Sequence, residues 1–146
     1  MSDQEGFKVN TARDALSLLS QKMFKKFGKE VLADIEDVWF KLGLTVGQKM
    51  KKNLPDTRLT TAATAFVEGG RKRGTKIDIL RLDDSSFCLT GDRCGIGLVG
   101  KGRELCWACM GVDRGIFEAI TGKKIKMEIR KTLAENDKQC EILIEL

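Results

Sequence analysis

Cysteines and large aromatic residues are the side chains whose types and spacing point to chemistry in this 146-residue chain. Histidine is absent, which removes Ser-His-Asp and Cys-His arrangements together with the commonest general base and counts against hydrolysis. Cys106 and Cys109 are three apart on an expected helix and therefore neighbours on its surface, with Trp107 beside them, while Cys140 faces the same core layer from an expected strand. Thiolates favour zinc, and three or four of them at about 2.3 Å make a closed structural site, with Cys94 or Cys88 available as a fourth ligand. Two other readings stay open. Cysteine is among the most buried residue types and packs as a small hydrophobe, and Cys106-x-x-Cys109 as a redox dithiol is the weaker alternative. Glu104 and Glu118 would form a carboxylate pair, but both fall on the polar side of an amphipathic helix, where a solvated face is expected. Trp39, Phe40, Trp107, Met110 and Phe117 are large, polarizable residues that could line an apolar cavity; the same residues also make an ordinary core.

The elements that must position these groups are legible from periodicity. From Thr11, a plausible N-cap, Ala12, Ala15, Leu16, Leu19, Met23 and Phe27 make a helical stripe that Gly28 ends. A second helix starts near Lys29 and carries its stripe (Val31, Ile35, Val38, Trp39, Leu42, Val46, Met50) to about Asn53, before Pro55. Gly43 and Gly47 sit inside it, each costing about 1 kcal/mol relative to alanine, so the pair marks a close helix crossing or a dimer seam, the alternative being a simple irregularity. A third helix is expected from Thr57 to Glu68. Strands follow at Lys76 to Leu82 and Ser85 to Thr90, joined by Asp83-Asp84, and then a glycine-rich connection from Gly91 to Gly102. Gly95-x-Gly97-x-x-Gly100 has dinucleotide-motif spacing without the strand before it or the acidic residue after it, so a nucleotide loop is not expected.

Leu105, Ala108, Cys109, Val112, Ile116, Ala119 and Ile120 make one helix from Glu104 to Thr121, stopped by Gly122. The period then changes to two: Ile125, Met127 and Ile129 alternate with charged residues, and Asn136-Asp137 supplies a turn. A two-residue hairpin there places Leu133 opposite Cys140, Lys131 opposite Ile142 and Ile129 opposite Ile144. The fold class is therefore α+β: N-terminal helices, an antiparallel sheet covered on one face by helices, then a C-terminal helix plus β-hairpin. Residues 1–10 are expected as a loose arm, 11–70 as a helical part and 75–146 as an α/β part of a single domain.

The run Cys106-Trp107-x-x-x-Gly111-x-x-x-Gly115, then Thr121-Gly122-Lys123-Lys124, Glu128 and Asn136-Asp137-x-x-Cys140, resembles the 4-vinyl reductase-like small-molecule-binding domain family. That resemblance covers roughly the last third of the chain. It implies a fold related to transport-particle subunits and binding of hydrocarbons or phenols. Zinc-binding members carry a cysteine eight positions before the last one; here that place is Thr132, and the family's acidic ligand falls at Ile129, with Glu128 one residue off.

Hydrophobic content of 42% and charged content of 32% are ordinary for a soluble globular protein, and no run is long enough to cross a bilayer. Without an apolar signal core near the N-terminus, a cytoplasmic location is expected, and five cysteines then read as thiols or metal ligands rather than disulfides. The net charge of +5 comes from Lys49 to Lys52, Arg71 to Arg73 and Lys123 to Lys131. These read as solvated faces, and no nucleic-acid-binding pattern accompanies them. The expected function is a sensor or carrier domain for a neutral apolar or aromatic small molecule, with a Cys-bound structural zinc and a homodimer through the N-terminal helices. A Cys-dependent redox or reductase-type enzyme and a dimeric scaffold are the alternatives.

Overall fold

The structure, a computed structural model, describes residues 7–146. The order of elements is α1 (Ala12–Phe27), a 3-10 turn, α2 (Leu32–Lys51), α3 (Leu59–Lys72), β1 (Ile77–Leu82), β2 (Ser86–Gly91), α4 (Arg103–Cys109), α5 (Gly111–Thr121), β3 (Lys126–Lys131) and β4 (Cys140–Glu145). Most of the expected loose arm falls on residues 1–6, outside the described ones; Phe7 lies against Gly97. The caps act where the residue types place them. Thr11 accepts the Asp14 N–H at 3.1 Å while the Asp14 carboxylate accepts the Thr11 N–H at 3.2 Å, a reciprocal pair that satisfies donors the first helical turn leaves over. Gly122 closes α5 at φ 68°, a left-handed conformation that suits glycine. No helix among the described residues is long and apolar enough to cross a membrane.

The four strands form one antiparallel sheet in the order β1-β2-β4-β3. The Asp83 carboxylate folds the β1–β2 turn by accepting the Ser85 and Ser86 N–H groups, each at 2.8 Å. Phe87, Leu89, Ile142, Ile144, Met127 and Ile129 share the face that the helices cover. The terminal hairpin is present with a register different from the expected one: Ile129 pairs with Ile142, and Met127 with Ile144. The cause lies in the turn. Leu133–Glu135 form a 3-10 turn and Asn136 is left-handed at φ 64°, so the connection is longer than two residues. Up to Ile129 the shift is two positions, which keeps Met127, Ile129, Ile142 and Ile144 on their side of the sheet; a bulge follows before Lys131, and Leu133 leaves the strand for the turn.

Helices pack on that face in two tiers. Phe117 of α5 meets Phe87 of β2 and Phe66 of α3, with ring centroids 5.9 and 5.2 Å apart. Helix α2 crosses over α5 from the other side. A Cβ at Gly43 would collide with the Val112 carbonyl, and one at Gly47 would lie 2.6 Å from the Ile116 carbonyl oxygen. From the facing side, a Cβ at Gly111 would be 2.8 Å from the Glu36 carbonyl oxygen, and one at Gly115 2.8 Å from the Leu44 nitrogen. The Gly43–Gly47 strip is thus a helix crossing within one chain, which settles the choice between crossing and dimer seam for these two residues.

Two further expectations are corrected. The segment 104–121 is not one helix: α4 ends at Cys109, Met110 leaves helical geometry at ψ 1°, and α5 starts at Gly111. Just past that break, Gly111 seats against the backbone of α2. Helix α1 does not bury its apolar stripe whole, since Leu19 and Phe27 face solvent while Ser17, Ser20 and Gln21 are buried. The two serines are satisfied from other segments, Ser17 donating to the Ile96 carbonyl and Ser20 accepting from Trp39 Nε1 at 3.0 Å, while Gln21 Nε2 donates within the helix to Ser17 at 3.2 Å and Gln21 Oε1 has no hydrogen-bond partner among the described residues.

Gly115→Ala is expected to destabilise the chain by about 1–3 kcal/mol or more, the range for forcing atoms into a filled contact. Gly69→Ala, in α3 with its nearest neighbouring atom at 3.5 Å, should instead gain up to about 1 kcal/mol from helix propensity. Urea denaturation of the two variants beside the parent chain checks both signs.

Candidate apolar groove and the cysteine layer

A groove of about 600 Å³ runs between the start of α2, α4 and the edge strand β3. Leu32 and Ala33 contribute from α2, Trp107 and Ala108 from α4, and Met127 and Ile129 from β3; Glu36, Arg103, Glu104 and Glu128 stand around them. Trp107 is 37% exposed, yet its position is held. The Arg114 guanidinium lies 4.3 Å from the centre of its ring and donates to the Trp107 carbonyl at 3.4 Å. The same guanidinium pairs with Glu36 at 2.8 Å, and the Arg114 side chain is 8% exposed. A charged group that buried requires such partners. Stacking on indole adds a cation–π attraction of about 0.5–2 kcal/mol.

The five aromatic and thioether residues proposed from the sequence separate into different environments. Trp107 lines the groove. Trp39 and Phe117 have no exposed surface and sit in the filled core. Phe40 is half-buried beside the crossing, where its backbone takes the close approach of Gly111 and Gly115. Met110 occupies the break between α4 and α5, its Sδ 3.7 Å from Cys106 Sγ. Sequence reasoning did not single out Arg114, because an unbroken helix would put it two turns, roughly 10 Å, from Trp107. The break at Met110 brings it back over the ring.

The cysteines all carry free thiols. Cys106 Sγ lies 3.3 Å from Thr132 Oγ1, and Cys140 Sγ accepts the Leu133 N–H at 3.5 Å. Cys109 turns toward α1 instead, where Ser20 is its polar partner. Burial pushes the Cys106 thiol up to about 11, against the pull of the Thr132 hydroxyl. Burial likewise pushes Cys109 up to about 12 and raises Cys140. At neutral pH these are neutral thiols, which neither attack an electrophile nor bind a metal without first losing a proton. Among the described residues no group of three or more His, Cys, Asp or Glu is placed to hold a metal. The donor set as arranged therefore does not fit a closed zinc site, with Thr132 between two of the thiols and Cys109 facing elsewhere.

Asp113 opens α5 next to Arg114. Desolvation pushes its carboxyl from 3.8 to about 6, opposed by Arg13, Arg114 and Arg73. A carboxyl raised in the folded state binds its proton more tightly there than in the unfolded chain. Its favourable contribution is therefore complete below about pH 4 and is lost as pH rises through about 6.

Neither a family profile nor a curated protein matches this sequence. Solved structures do share its fold, two of them as follows. One is the phenol-responsive sensory domain of the transcription activator PoxR with phenol, at a TM-score of 0.69 and 14% identity, covering 94% of this chain and 76% of that one. The other is a trafficking protein particle complex subunit 3 from Naegleria fowleri, covalently bound to palmitic acid, at a TM-score of 0.63 and 16% identity over 91% of each chain. Both agree with the fold relation that the C-terminal residues suggested, and at these identities the likeness establishes the fold alone.

Alkylation of the native protein should label the half-exposed Cys94 and Cys140 well before Cys106 and Cys109, which become reactive on unfolding. Peptide mapping by mass spectrometry reads the order. One equivalent of zinc in the purified protein, lost in Cys106→Ser and in Cys140→Ser, would overturn the neutral-thiol reading. For Asp113, the expected result is that Asp113→Asn flattens the fall in urea midpoint between about pH 4 and pH 7. An unchanged slope would mean that the carboxyl is hydrated in the native state.

Proposed function

We propose that this chain is a small-molecule-binding domain, a sensor or carrier, whose ligand places an apolar or aromatic body against Trp107 in the groove between α2, α4 and β3. The observation that carries the reading is a solvent-open tryptophan fixed from behind by Arg114 on an apolar floor. Small-molecule sites are concave, mostly apolar and about 300–1,000 Å³ in volume; the groove, at about 600 Å³, has room for a phenol-sized molecule or a section of an alkyl chain. The fold shared with a phenol-responsive domain supports the same reading. Thiol chemistry is disfavoured, because the buried sulfurs hold their protons at neutral pH. The groove also differs from the site expected at Trp39 and Phe117, whose surroundings are already filled.

A homodimer through the N-terminal helices remains part of the proposal on different residues. The glycine strip is occupied within the chain, so a second copy would meet Leu19 and Phe27 on α1, which are 55% and 44% exposed, and Val38 on α2, 47% exposed. Light scattering should then report a dimer that Leu19→Glu dissociates. A monomer at micromolar concentration removes this part of the proposal and leaves the groove untouched.

The ligand test separates the two tryptophans. Phenol or a short alkylphenol should quench the fluorescence of Trp107 and raise the melting temperature, with a gain of about 2.7 kcal/mol at a hundred times the dissociation constant. Trp39→Phe should keep the quench and Trp107→Phe should lose it. The opposite pattern would put the ligand in the core and overturn the groove assignment.

A further inference from the structure

Resting on the groove reading, we infer that Glu36 sets the polar specificity of the groove: it accepts a hydrogen bond from a neutral O–H or N–H group carried beside the ligand's apolar body. Donor-bearing molecules then bind in preference to donor-free ones of the same shape. Charge balance around the groove, and the hydrogen-bonding atoms it leaves free, carry the inference.

The ionic groups here come in pairs. Arg103 donates through Nη1 to the Ile129 carbonyl, and its Nη2 meets Glu135 at 3.1 Å. Glu104 has Lys29 at 3.6 Å, and Glu36 has Arg114 at 2.8 Å. Glu128 lies between Met127 and Ile129 on β3, so its carboxylate faces the helix-free side of the sheet, with Arg130 and Glu141. A charge entering the groove would have to displace one of these partners, and neither sign is favoured. The balance fits a neutral ligand whose polar part is recognised by hydrogen bonding.

Both guanidiniums at the groove are spent on protein acceptors, Arg103 as above and Arg114 on Glu36 and the Trp107 carbonyl. Carboxylate oxygen is left over. Glu36 Oε1 takes the Arg114 bond, while Oε2 has no hydrogen bond among the described residues, and the side chain is 42% exposed. Leu32 and Glu36 are one turn apart on α2 and so neighbours on its surface, which sets this carboxylate beside the apolar lining. Its position is also fixed. A surface glutamate loses rotamer freedom when it bonds a ligand; Glu36 has already lost it to a guanidinium whose side chain is 8% exposed. Since Arg114 also lies 4.3 Å from the centre of the Trp107 ring, one group holds the ring and the acceptor relative to each other. Glu104 has only Lys29, 79% exposed, and a pair so exposed holds little. Glu36 is therefore the preorganised acceptor of the two.

4-Ethylbenzyl alcohol and its methyl ether share a ring and differ by the donor; both are titrated into the full chain carrying Trp39→Phe, with Trp107 fluorescence as the readout. The ether has one more carbon and would bind at least as tightly if apolar contact alone decided. The alcohol should instead bind about threefold to tenfold tighter. Glu36→Gln should bring the ratio of alcohol to ether affinity down to about one, because the Arg114 bond holds the amide oxygen and leaves the NH2 group toward the ligand. The ratio decides, since a displaced Trp107 would weaken both compounds together. If the glutamine variant melts early, Glu36→Leu/Arg114→Met, which leaves no buried guanidinium unpaired, gives the same comparison. An ether bound as tightly as the alcohol overturns the assignment while the groove stands, as does a preference that Glu104→Gln abolishes and Glu36→Gln keeps. If neither compound binds and Trp107 is unquenched, the groove reading itself fails and the assignment with it.

Discussion

Close contact between two helix backbones is the constraint on which the rest of this structure depends. Gly43 and Gly47 on α2 meet Gly111 and Gly115 on α5 so closely that a methyl group at any of the four would enter the opposing main chain. Glycine inside a helix is unfavourable by about 1 kcal/mol each, and this crossing recovers it through van der Waals contact between backbones and the burial it permits. Because α5 also lies on the sheet through Phe117 and Phe87, the crossing fixes how far α2 stands from β2, β4 and β3. The space between α2 and β3, where the groove opens, is set by the same contact.

The break at Met110 is the local consequence. Gly111, the first residue after it, approaches the Glu36 carbonyl. Turning the chain at that point places Arg114 over Trp107 and within reach of Glu36, 78 residues earlier in the chain. One guanidinium thereby joins α2, α4 and α5 and holds an aromatic wall that would otherwise be free to change rotamer. A binding surface built on such a clamp loses little conformational entropy when a ligand arrives, which is the advantage of a preformed site.

The thiols take the opposite role. Cys106 and Cys109 lie one helical turn apart, but the bundle closes around them from different sides, Thr132 on one and Ser20 on the other. Burial raises both thiols well above neutrality, which favours packing over metal or redox chemistry at that spacing. Polar and charged groups at the groove are, by contrast, at least partly hydrated. The interior is held together by apolar contact and a few serine hydrogen bonds to α1.

What the sequence by itself determined is everything governed by neighbours along the chain. Thr11 with Asp14, Gly28, Gly122 and the Asp83 turn mark element ends because capping and turn bonds reach only a few residues. The strict alternation in β3 and β4 assigned the core face, and with it the α+β class. The hairpin register was not legible, because a two-residue shift leaves that alternation intact and the turn geometry of Leu133–Asn136 decides it. Nor was the polar inner face of α1, since Ser17 and Ser20 are satisfied by Ile96 and Trp39 from distant segments. The groove residues belong to three separate elements, and each looks unremarkable in its own stretch: Leu32 at a helix start, Ala108 in a helix, Ile129 in an edge strand. Tertiary structure alone decided that they meet, because their contact depends on the angle and distance of the α2–α5 crossing, which no local pattern encodes.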